Sequence, residues 1–282
     1  MSRDYEGTAM NSELAAKYDN LKKLFGELGS VAVAFSGGVD STLVLKVAHD
    51  VLGKKAVAFT VSSDFVPERD VEGARAFCAG EGIEHVVETF PIMDVAHVRK
   101  NPPDRCYYCK YAIFKHLKAE AGHRGLAYVV DGTNRDDDGD YRPGRTALRE
   151  LRIMSPLHQC GMGKADIHAL SQALGIAGWD RPSLACLASR IPYEEELTHE
   201  KLERVNRAEE FLMEKGFRQL RVRAEGQTAR IELLPEDMER FFGSLRGETD
   251  EAFRLLGFTH VSLDLTGYRT GSMNEGLEQG DA

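Results

Sequence analysis

A short polar segment, residues 36–42 with the sequence SGGVDST, directly follows the apolar run of residues 31–35. Glycines let a backbone approach a ligand closely, hydroxyl groups donate hydrogen bonds, and a helix N-terminus after such a turn adds partial positive charge. We therefore predict a phosphate cradle, formed by Ser36, Gly37, Gly38, Ser41 and Thr42. Asp40 has only acceptor oxygens, so we expect it to hold a Mg²⁺ ion that bridges phosphate oxygens. An ordinary glycine-rich turn is the less specific alternative, and the missing Gly-Lys-Ser/Thr excludes a Walker A loop.

Three cysteines lie in patterns that suit metal or sulfur chemistry. Cys106 and Cys109 form a Cys-x-x-Cys motif at the start of a predicted helix, so both sulfurs share one helix face. The helix dipole and the adjacent Arg105 favour their thiolate forms. Cys186 lies in a loop-like stretch further along. Three thiolates can hold an iron–sulfur cubane with one open iron. The alternatives are a redox pair or two incidental helix cysteines for the Cys-x-x-Cys motif, and an inert buried thiol for Cys186 taken alone.

Arginines in two other segments suit an anionic ligand. Arg142 lies in the polar segment of residues 137–144, which indicates either a lid over a site or a solvated acidic turn. Strand alternation in a predicted hairpin places Arg221 and Arg223 on one face, where they could clamp a phosphate or carboxylate near Glu232. The alternative for this face is a solvent-exposed strand surface.

The elements that must position these residues alternate between strand and helix over the first half of the chain. The predicted strands are residues 31–35, 56–61, 84–88 and 126–130, and the predicted helices are residues 13–28, 41–52, 68–79 and 107–121. This order predicts a parallel sheet with helices on both faces, whose ligands bind beyond the carboxyl ends of the strands. Thr60, at the end of one of these strands, and Gly132 and Thr133, just after another, are expected to join the phosphate cradle in one site.

The character of the sequence changes near residue 195. A charged amphipathic helix over residues 199–215 precedes a hairpin over residues 218–234, a helix from Pro235 to about Leu245, a helical piece over residues 248–256 and a strand over residues 260–265. We therefore predict an α/β domain over residues 1–194 and a smaller α+β domain over residues 195–282.

Composition narrows the class of protein. The 282 residues include 42% hydrophobic residues but no apolar stretch of membrane-spanning length, and the polar N-terminus does not resemble a signal peptide. We expect a cytoplasmic protein. Its five cysteines, an odd number, are expected to be free thiols or metal ligands rather than members of disulfides. Cys78 is assigned to a helix core, and Cys160 has no assigned role. The net charge of −9 argues against a nucleic-acid partner and a broad nucleic-acid-binding face.

Six segments together carry a family resemblance. The SGGxDS pattern resembles the PP-loop of ATP pyrophosphatases, which split ATP between its α and β phosphates. Over nearly the whole chain, the sequence is similar to the LarE family of ATP-dependent sulfur-inserting enzymes, which serve synthesis of the nickel-pincer nucleotide cofactor of lactate racemase. The segments are SGGVDST, DRCYYCK, DGTN, DYRPG, WDRPSLACLASRIPY and LDLTGYRTGSMNE. The resemblance implies an NAD-synthetase-like PP-loop domain, a smaller C-terminal domain and a homo-oligomer.

The resemblance also implies a mechanism. ATP, with Mg²⁺, adenylates a carboxylate of a pyridinium-3,5-biscarboxylate mononucleotide, and a sulfur species then displaces AMP to give a thiocarboxylate. In one branch of the family the residue matching Cys186 surrenders its own sulfur. In the other branch the residues matching Cys106, Cys109 and Cys186 hold a 4Fe-4S cluster that carries an extra sulfide, and the three cysteines here favour this branch. The implied substrate-binding residues are Arg142, Ser189, Arg190, Arg221, Arg223 and Glu232.

Three other functions use some of the same features. A tRNA-thiolating PP-loop enzyme shares the three cysteines, but the acidic net charge of this chain argues against it. An ammonia-dependent amidotransferase or synthetase shares the PP-loop and does not need the cysteines. A third alternative is a nucleotide sensor without enzymatic activity. The intact phosphate cradle and the presence of Asp40 argue against it.

Overall fold

The computed structural model describes residues 11–139, 143–179 and 185–274. The chain divides into two compact units. The described residues of Met1–Val95 and Asp104–Leu184 form the first unit, and those of Ala96–Pro103 and Ala185–Ala282 form the second. The boundary between residues 194 and 195 that the sequence analysis gives for the two functional domains stays a prediction. No helix in the described ranges is long and apolar enough to cross a membrane.

The first unit is built on a parallel sheet, as predicted. Its strands are β1 (Val31–Ala34), β2 (Ala56–Ser62), β3 (His85–Thr89) and β4 (Tyr128–Val130), in the order β3-β2-β1-β4. The register places Val33 beside Ala58 on one side and beside Val130 on the other. All pairs are parallel, so the carboxyl ends of the strands share one edge.

Helices cover both faces of this sheet. They are α1 (Ser12–Leu28), α2 (Val39–Leu52), α3 (Glu68–Glu81), α4 (Arg105–His123), α5 (Gly144–Glu150), α6 (Pro156–Gln159) and α7 (Lys164–Ala173). One core cluster joins Val33 to apolar residues of α1, α2, α3 and α7, and the other joins Ala32 to those of α4 and α5. Neighbouring residues of β1 thus face opposite cores, because side chains alternate along a strand. The α/β prediction is confirmed, whereas α5, α6 and α7 had no counterpart in it.

The second unit is a small α+β structure. It contains α8 (His199–Glu214), β5 (Leu220–Glu225), β6 (Thr228–Leu233), α9 (Pro235–Arg240), a π-helical turn (Phe241–Leu245), α10 (Arg246–Leu255) and β7 (His260–Leu263). β5 and β6 form the predicted hairpin, and β7 pairs with β6 in parallel. Leu202, Val205 and Leu212 form the buried face of α8. The helix expected from Pro235 to Leu245 changes to π-helical geometry after Arg240.

A strap of eight residues, Ala96–Pro103, interrupts the first unit and belongs to the second. The buried Asn101 side chain donates hydrogen bonds to the carbonyls of Ile191 (3.1 Å) and Pro192 (2.6 Å), and Leu197 N–H donates to Arg99 O (2.8 Å). These contacts pair the strap with the segment that follows Cys186.

Candidate functional site

The loop after β1 has the geometry of an anion cradle. Gly37 adopts φ +77°, a left-handed conformation that favours glycine. The hydroxyls of Ser41 and Thr42 donate to Gly38 O at 3.0 and 2.8 Å, which fixes the loop against the first turn of α2. The first N–H groups of a helix have no partners within the helix, so α2 presents donors and partial positive charge at the cradle.

Gly132, just after β4, lies directly against the start of α2. A Cβ atom built on Gly132 would lie 2.9 Å from Ser41 N and 3.1 Å from Ser41 Cα. Only a residue without a side chain allows this approach. The ends of β1, β2 and β4 consequently meet at one cavity of about 480 Å³, whose walls include Ser36, Gly38, Asp40, Ser41, Thr60, Gly132 and Thr133.

Thr60 lines the cavity, but its hydroxyl is engaged in the protein. Thr60 Oγ1 donates to Phe35 O (2.7 Å) and lies 2.8 Å from His85 Nε2. The single hydroxyl proton is committed to Phe35, so His85 Nε2 must be the donor in the second contact. Burial, together with the charge of Arg75, lowers the pKa of His85 and keeps the ring neutral. Thr60 therefore fixes the strand end that leads into the cradle.

The carboxylate of Asp40 faces the cavity with one oxygen paired and the other unpaired. Asp40 Oδ2 accepts hydrogen bonds from Lys164 Nζ (2.5 Å) and Asn134 Nδ2 (3.3 Å). Asp40 Oδ1 is buried without a hydrogen-bond partner among the described residues. A buried carboxylate oxygen without a donor suits a hard cation such as Mg²⁺, so Asp40 fits its predicted role.

Sequence reasoning missed the two lysines of the cavity wall, Lys110 and Lys164. Lys164 is the first residue of α7, where the helix dipole disfavours a cation. This position was the signal in the sequence that could have identified Lys164. A cation that the helix dipole disfavours indicates an anionic partner elsewhere in the chain.

The segment after β4 is held by a carboxylate network. Asp131 accepts hydrogen bonds from Thr133 Oγ1 (2.5 Å) and Ser155 Oγ (2.6 Å). Thr133 therefore directs its hydroxyl proton to Asp131. Asp137 is buried in the cavity wall, so this part of the expected lid is not a solvated turn. Arg142 lies outside the described residues.

Cys106 and Cys109 lie on the first turn and a half of α4, and both thiols are partly buried. Arg105 is buried and places Nη2 4.0 Å from Cys106 Sγ, where its charge favours the thiolate. In the described ranges, no group of three or more His, Cys, Asp or Glu side chains is arranged to hold a metal ion. Cys78 packs in the helix core, and burial raises the pKa of its thiol to about 12.

In the second unit, Arg190 holds the loop that carries Cys186. Its guanidinium forms a two-point ion pair with the fully buried Glu209, with N–O distances of 2.9 and 3.0 Å. Arg190 Nη1 also donates to Ala185 O (2.8 Å), Cys186 O (3.1 Å) and Ser189 Oγ (2.9 Å). The partly buried Cys186 is thus fixed through its own carbonyl group.

Arg223 forms a second buried ion pair. It contacts both oxygens of the fully buried Glu232 at 3.0 and 2.9 Å and donates to Ser189 O (2.7 Å) and Ser272 Oγ (2.7 Å). Arg190, Arg223 and Ser189 line a cavity of about 310 Å³ in this unit. The hairpin face is therefore buried, and the solvent-exposed alternative is wrong.

Arg221 has a different environment from Arg223. It stacks on Tyr268, with 5.2 Å from the guanidinium carbon to the ring centroid, and donates to Leu220 O (2.7 Å). Burial, reinforced by the charge of Arg190, lowers the pKa of Arg221.

Comparison with known proteins agrees with this geometry. The NAD synthase family matches residues 13–109, which include the cradle and the Cys-x-x-Cys motif. An uncharacterised protein of Synechocystis sp. is 46% identical over 94% of this chain and 99% of that protein. The pyridinium-3,5-bisthiocarboxylic acid mononucleotide synthase of Lactiplantibacillus plantarum is 37% identical over 94% of this chain and 96% of that protein. The chain belongs to the LarE family.

A more distant similarity covers part of the chain. The glutamine-hydrolysing GMP synthase of Aeropyrum pernix is 27% identical over 73% of this chain and 42% of that protein. The LarE-family assignment and the NAD-synthase-like first unit confirm both the predicted family and the predicted fold. The chain is accordingly an enzyme of the PP-loop type, and ATP is its nucleotide.

Proposed function

We propose that this enzyme uses ATP to convert a carboxylate of pyridinium-3,5-biscarboxylate mononucleotide into a thiocarboxylate, as a step in the synthesis of the nickel-pincer nucleotide. The observation that carries the proposal is the cavity of the first unit, where the cradle, Asp40 and Gly132 come together. The activity named for the L. plantarum relative supplies the class of product.

The cavity suits ATP and a divalent cation. The N-terminus of α2 and the left-handed backbone at Gly37 would hold the phosphates, and Lys110 would add positive charge. Mg²⁺ at Asp40 would neutralise phosphate charge. The substrate carboxylate then attacks the α-phosphorus of ATP, and the bond to pyrophosphate breaks. The resulting acyl adenylate has AMP as its leaving group, which makes the carbonyl carbon a good electrophile.

The sulfur that displaces AMP is proposed to depend on Cys106, Cys109 and Cys186. The first two fit as a pair of ligands because they share one face of α4 beside Arg105. When bound, a 4Fe-4S cluster would carry an extra sulfide that displaces AMP, and inorganic sulfide from solution would replace it for repeated transfer. In the alternative branch, the Cys186 thiolate displaces AMP and forms a thioester. Loss of the Cα proton with cleavage of the Cβ–S bond then releases the thiocarboxylate and leaves dehydroalanine, so that each chain acts once.

Anionic groups of the substrate are proposed to bind in the second unit. The residues assigned to this role are Ser189, Arg190, Arg221, Arg223 and Glu232, with Arg142 outside the described residues. Arg221 supports the assignment, because burial beside Arg190 makes its charge costly and an anion would offset that cost. Glu209 and Glu232 hold the other two guanidiniums in fixed orientations around the cavity.

The experiment that tests the chemistry is turnover with synthetic substrate after anaerobic iron–sulfur reconstitution. Wild type, Cys109→Ala and Cys160→Ala are compared for iron, sulfide, pyrophosphate release and thiocarboxylate product. We expect about four irons per chain in wild type and in the Cys160→Ala control, and loss of iron in Cys109→Ala. Wild type without iron that still forms product would move the sulfur donor to Cys186. No pyrophosphate release would refute the proposal as a whole.

The substrate assignment is tested separately. Arg221→Gln is expected to raise KM for the pyridinium substrate at least about tenfold, whereas the exposed Arg218→Gln control leaves it unchanged. Unaltered sulfur transfer by Arg221→Gln would remove Arg221 from the site.

We also propose that the enzyme is a cytoplasmic homo-oligomer. Light scattering of the purified protein measures its oligomeric state, and a monomer at micromolar concentration would contradict the proposed homo-oligomer.

A further inference from the structure

The ion pair between Lys164 and Asp40 occupies the place where a metal ion is expected. Asp40 lies in the first turn of α2, and its side chain is only 22% exposed. Oδ2 accepts hydrogen bonds from Lys164 and Asn134, whereas the buried Oδ1 has no partner among the described residues. The ammonium group thus compensates the charge of Asp40 but leaves half of the carboxylate unsatisfied.

The two ends of Lys164 are held differently. Its backbone N–H donates to Asp136 Oδ2 (2.6 Å), and the N-terminal turn of α7 is further fixed by Asp166, which accepts from Gly163 N–H (3.0 Å). The Lys164 side chain, by contrast, is 46% exposed and reaches across the cavity wall to Asp40. An anchored backbone with an exposed, flexible side chain allows the ammonium group to move without moving the helix.

An ammonium group on Oδ2 weakens the binding of a divalent cation at Oδ1, because the two positive charges repel each other at close range in a partly buried site. A nucleotide phosphate in the cradle would offer Lys164 a second anionic partner inside the same cavity. Asp40 would then be free to ligate the cation that accompanies the phosphates.

We propose that Lys164 is a built-in counter-ion that keeps divalent metal off Asp40 until ATP binds. Metal enters the site together with the nucleotide, and Lys164 changes partner from Asp40 to phosphate. The exchange keeps the cavity electrically compensated both before and after binding. This inference rests on the proposed use of ATP with Mg²⁺, and it assigns the order in which the two are bound.

The test is Mn²⁺ binding, measured by electron paramagnetic resonance on the full chain without nucleotide and then with α,β-methylene-ATP. The proteins are wild type, Lys164→Met, Lys164→Arg and Lys115→Met. Lys115→Met is the control, because it removes an exposed positive charge from α4 outside the cavity wall. The double variant Lys164→Met/Asp40→Asn identifies the ligand.

Without nucleotide, Lys164→Met is expected to bind Mn²⁺ at least about 10-fold more tightly than wild type. Lys164→Arg, which keeps the charge, and Lys115→Met should behave as wild type, and the double variant should lose the gained site. With α,β-methylene-ATP, wild type should gain tight Mn²⁺ binding, and Lys164→Met should bind the nucleotide at least about 10-fold more weakly.

Equal Mn²⁺ binding by wild type and Lys164→Met without nucleotide would overturn the proposal, as would a gained site that survives Asp40→Asn. Unchanged nucleotide affinity in Lys164→Met would overturn the transfer of Lys164 to phosphate. Failure of wild type to bind α,β-methylene-ATP would instead refute the proposed function. In that case the nucleotide-free comparison would still decide whether Lys164 excludes metal from Asp40.

Discussion

Replacement of Gly132 by alanine tests the close approach that assembles the site. The new Cβ atom would lie 2.9 Å from Ser41 N, 3.1 Å from Ser41 Cα and 3.2 Å from the carbonyl carbon of Asp40. Carbon atoms in favourable contact are about 3.5–4.0 Å apart, so β4 and α2 must separate by roughly half an ångström or more. All three neighbours are backbone atoms at the start of a helix, and none of them can move by a change of rotamer.

The expected loss of stability follows from the overlap of the new Cβ atom with backbone atoms. Insertion of one extra methyl group into a packed region costs about 1–3 kcal/mol, and contact with backbone places Gly132→Ala near the upper end. At about 2–4 °C per kcal/mol for a unit of this size, the apparent Tm should fall by roughly 4–10 °C. Displacement of Ser41 also distorts the cradle, so affinity for an ATP analogue should fall at least about tenfold.

Thermal and urea unfolding measure the change in stability, and titration calorimetry with α,β-methylene-ATP measures the change in affinity. Gly26→Ala is the matched control, because Gly26 lies within α1 and a Cβ there meets no atom within 4 Å. That control should gain about 0.5–1 kcal/mol from helix propensity and bind nucleotide as wild type does. Gly132→Ala that is as stable as wild type and binds the analogue equally well would refute the reasoning.

Three further predictions concern single buried groups. Burial raises the pKa of the Cys78 thiol to about 12, so mass spectrometry should find Cys78 unmodified after alkylation of the native enzyme at pH 8, and modified only after unfolding. Thr60→Val leaves His85 without its acceptor and should cost about 1–3 kcal/mol in urea unfolding, whereas Thr60→Ser should cost less because it keeps the hydroxyl. Burial alone would raise the pKa of Glu209, but the charge of Arg190 lowers it below its ordinary value of 4.5. The stabilisation by Glu209 is therefore complete above about pH 4.5 and is lost as the pH falls through the lower, folded-state pKa. Unfolding free energies of wild type and Glu209→Gln should converge over that acidic range, and a constant difference would contradict the pairing.

The predicted strands of the first unit agree with the structure to within a few residues, because their signals are local. The apolar runs that became β1 and β2 are each followed by polar residues, and strand–helix alternation restricts the topology to a parallel sheet. The short helices α5, α6 and α7 had no such signal. Helices of only 4–10 residues gain little from propensity alone and are stabilised by packing, as Ile167 and Leu170 of α7 show.

The candidate site also has features that the sequence predicts and features that it does not. Residue types and spacing alone indicated the cradle and the paired cysteines of α4, since a left-handed glycine and two residues on one helix turn are properties of the adjacent chain. The partners of charged groups were decided by the tertiary structure. Lys164 meets Asp40 across 124 positions of sequence. The predicted arginine clamp proved to include a bidentate pair between Arg223 and the fully buried Glu232.

Local sequence is therefore enough to show which groups can do chemistry, because glycine conformation, helix periodicity and strand alternation act over a few residues. The tertiary structure alone decided which charges face one another, how deeply they are buried and which oxygen of Asp40 remains unpaired. Such pairings depend on distances between residues that are remote in sequence, and electrostatic energy changes steeply with both distance and burial.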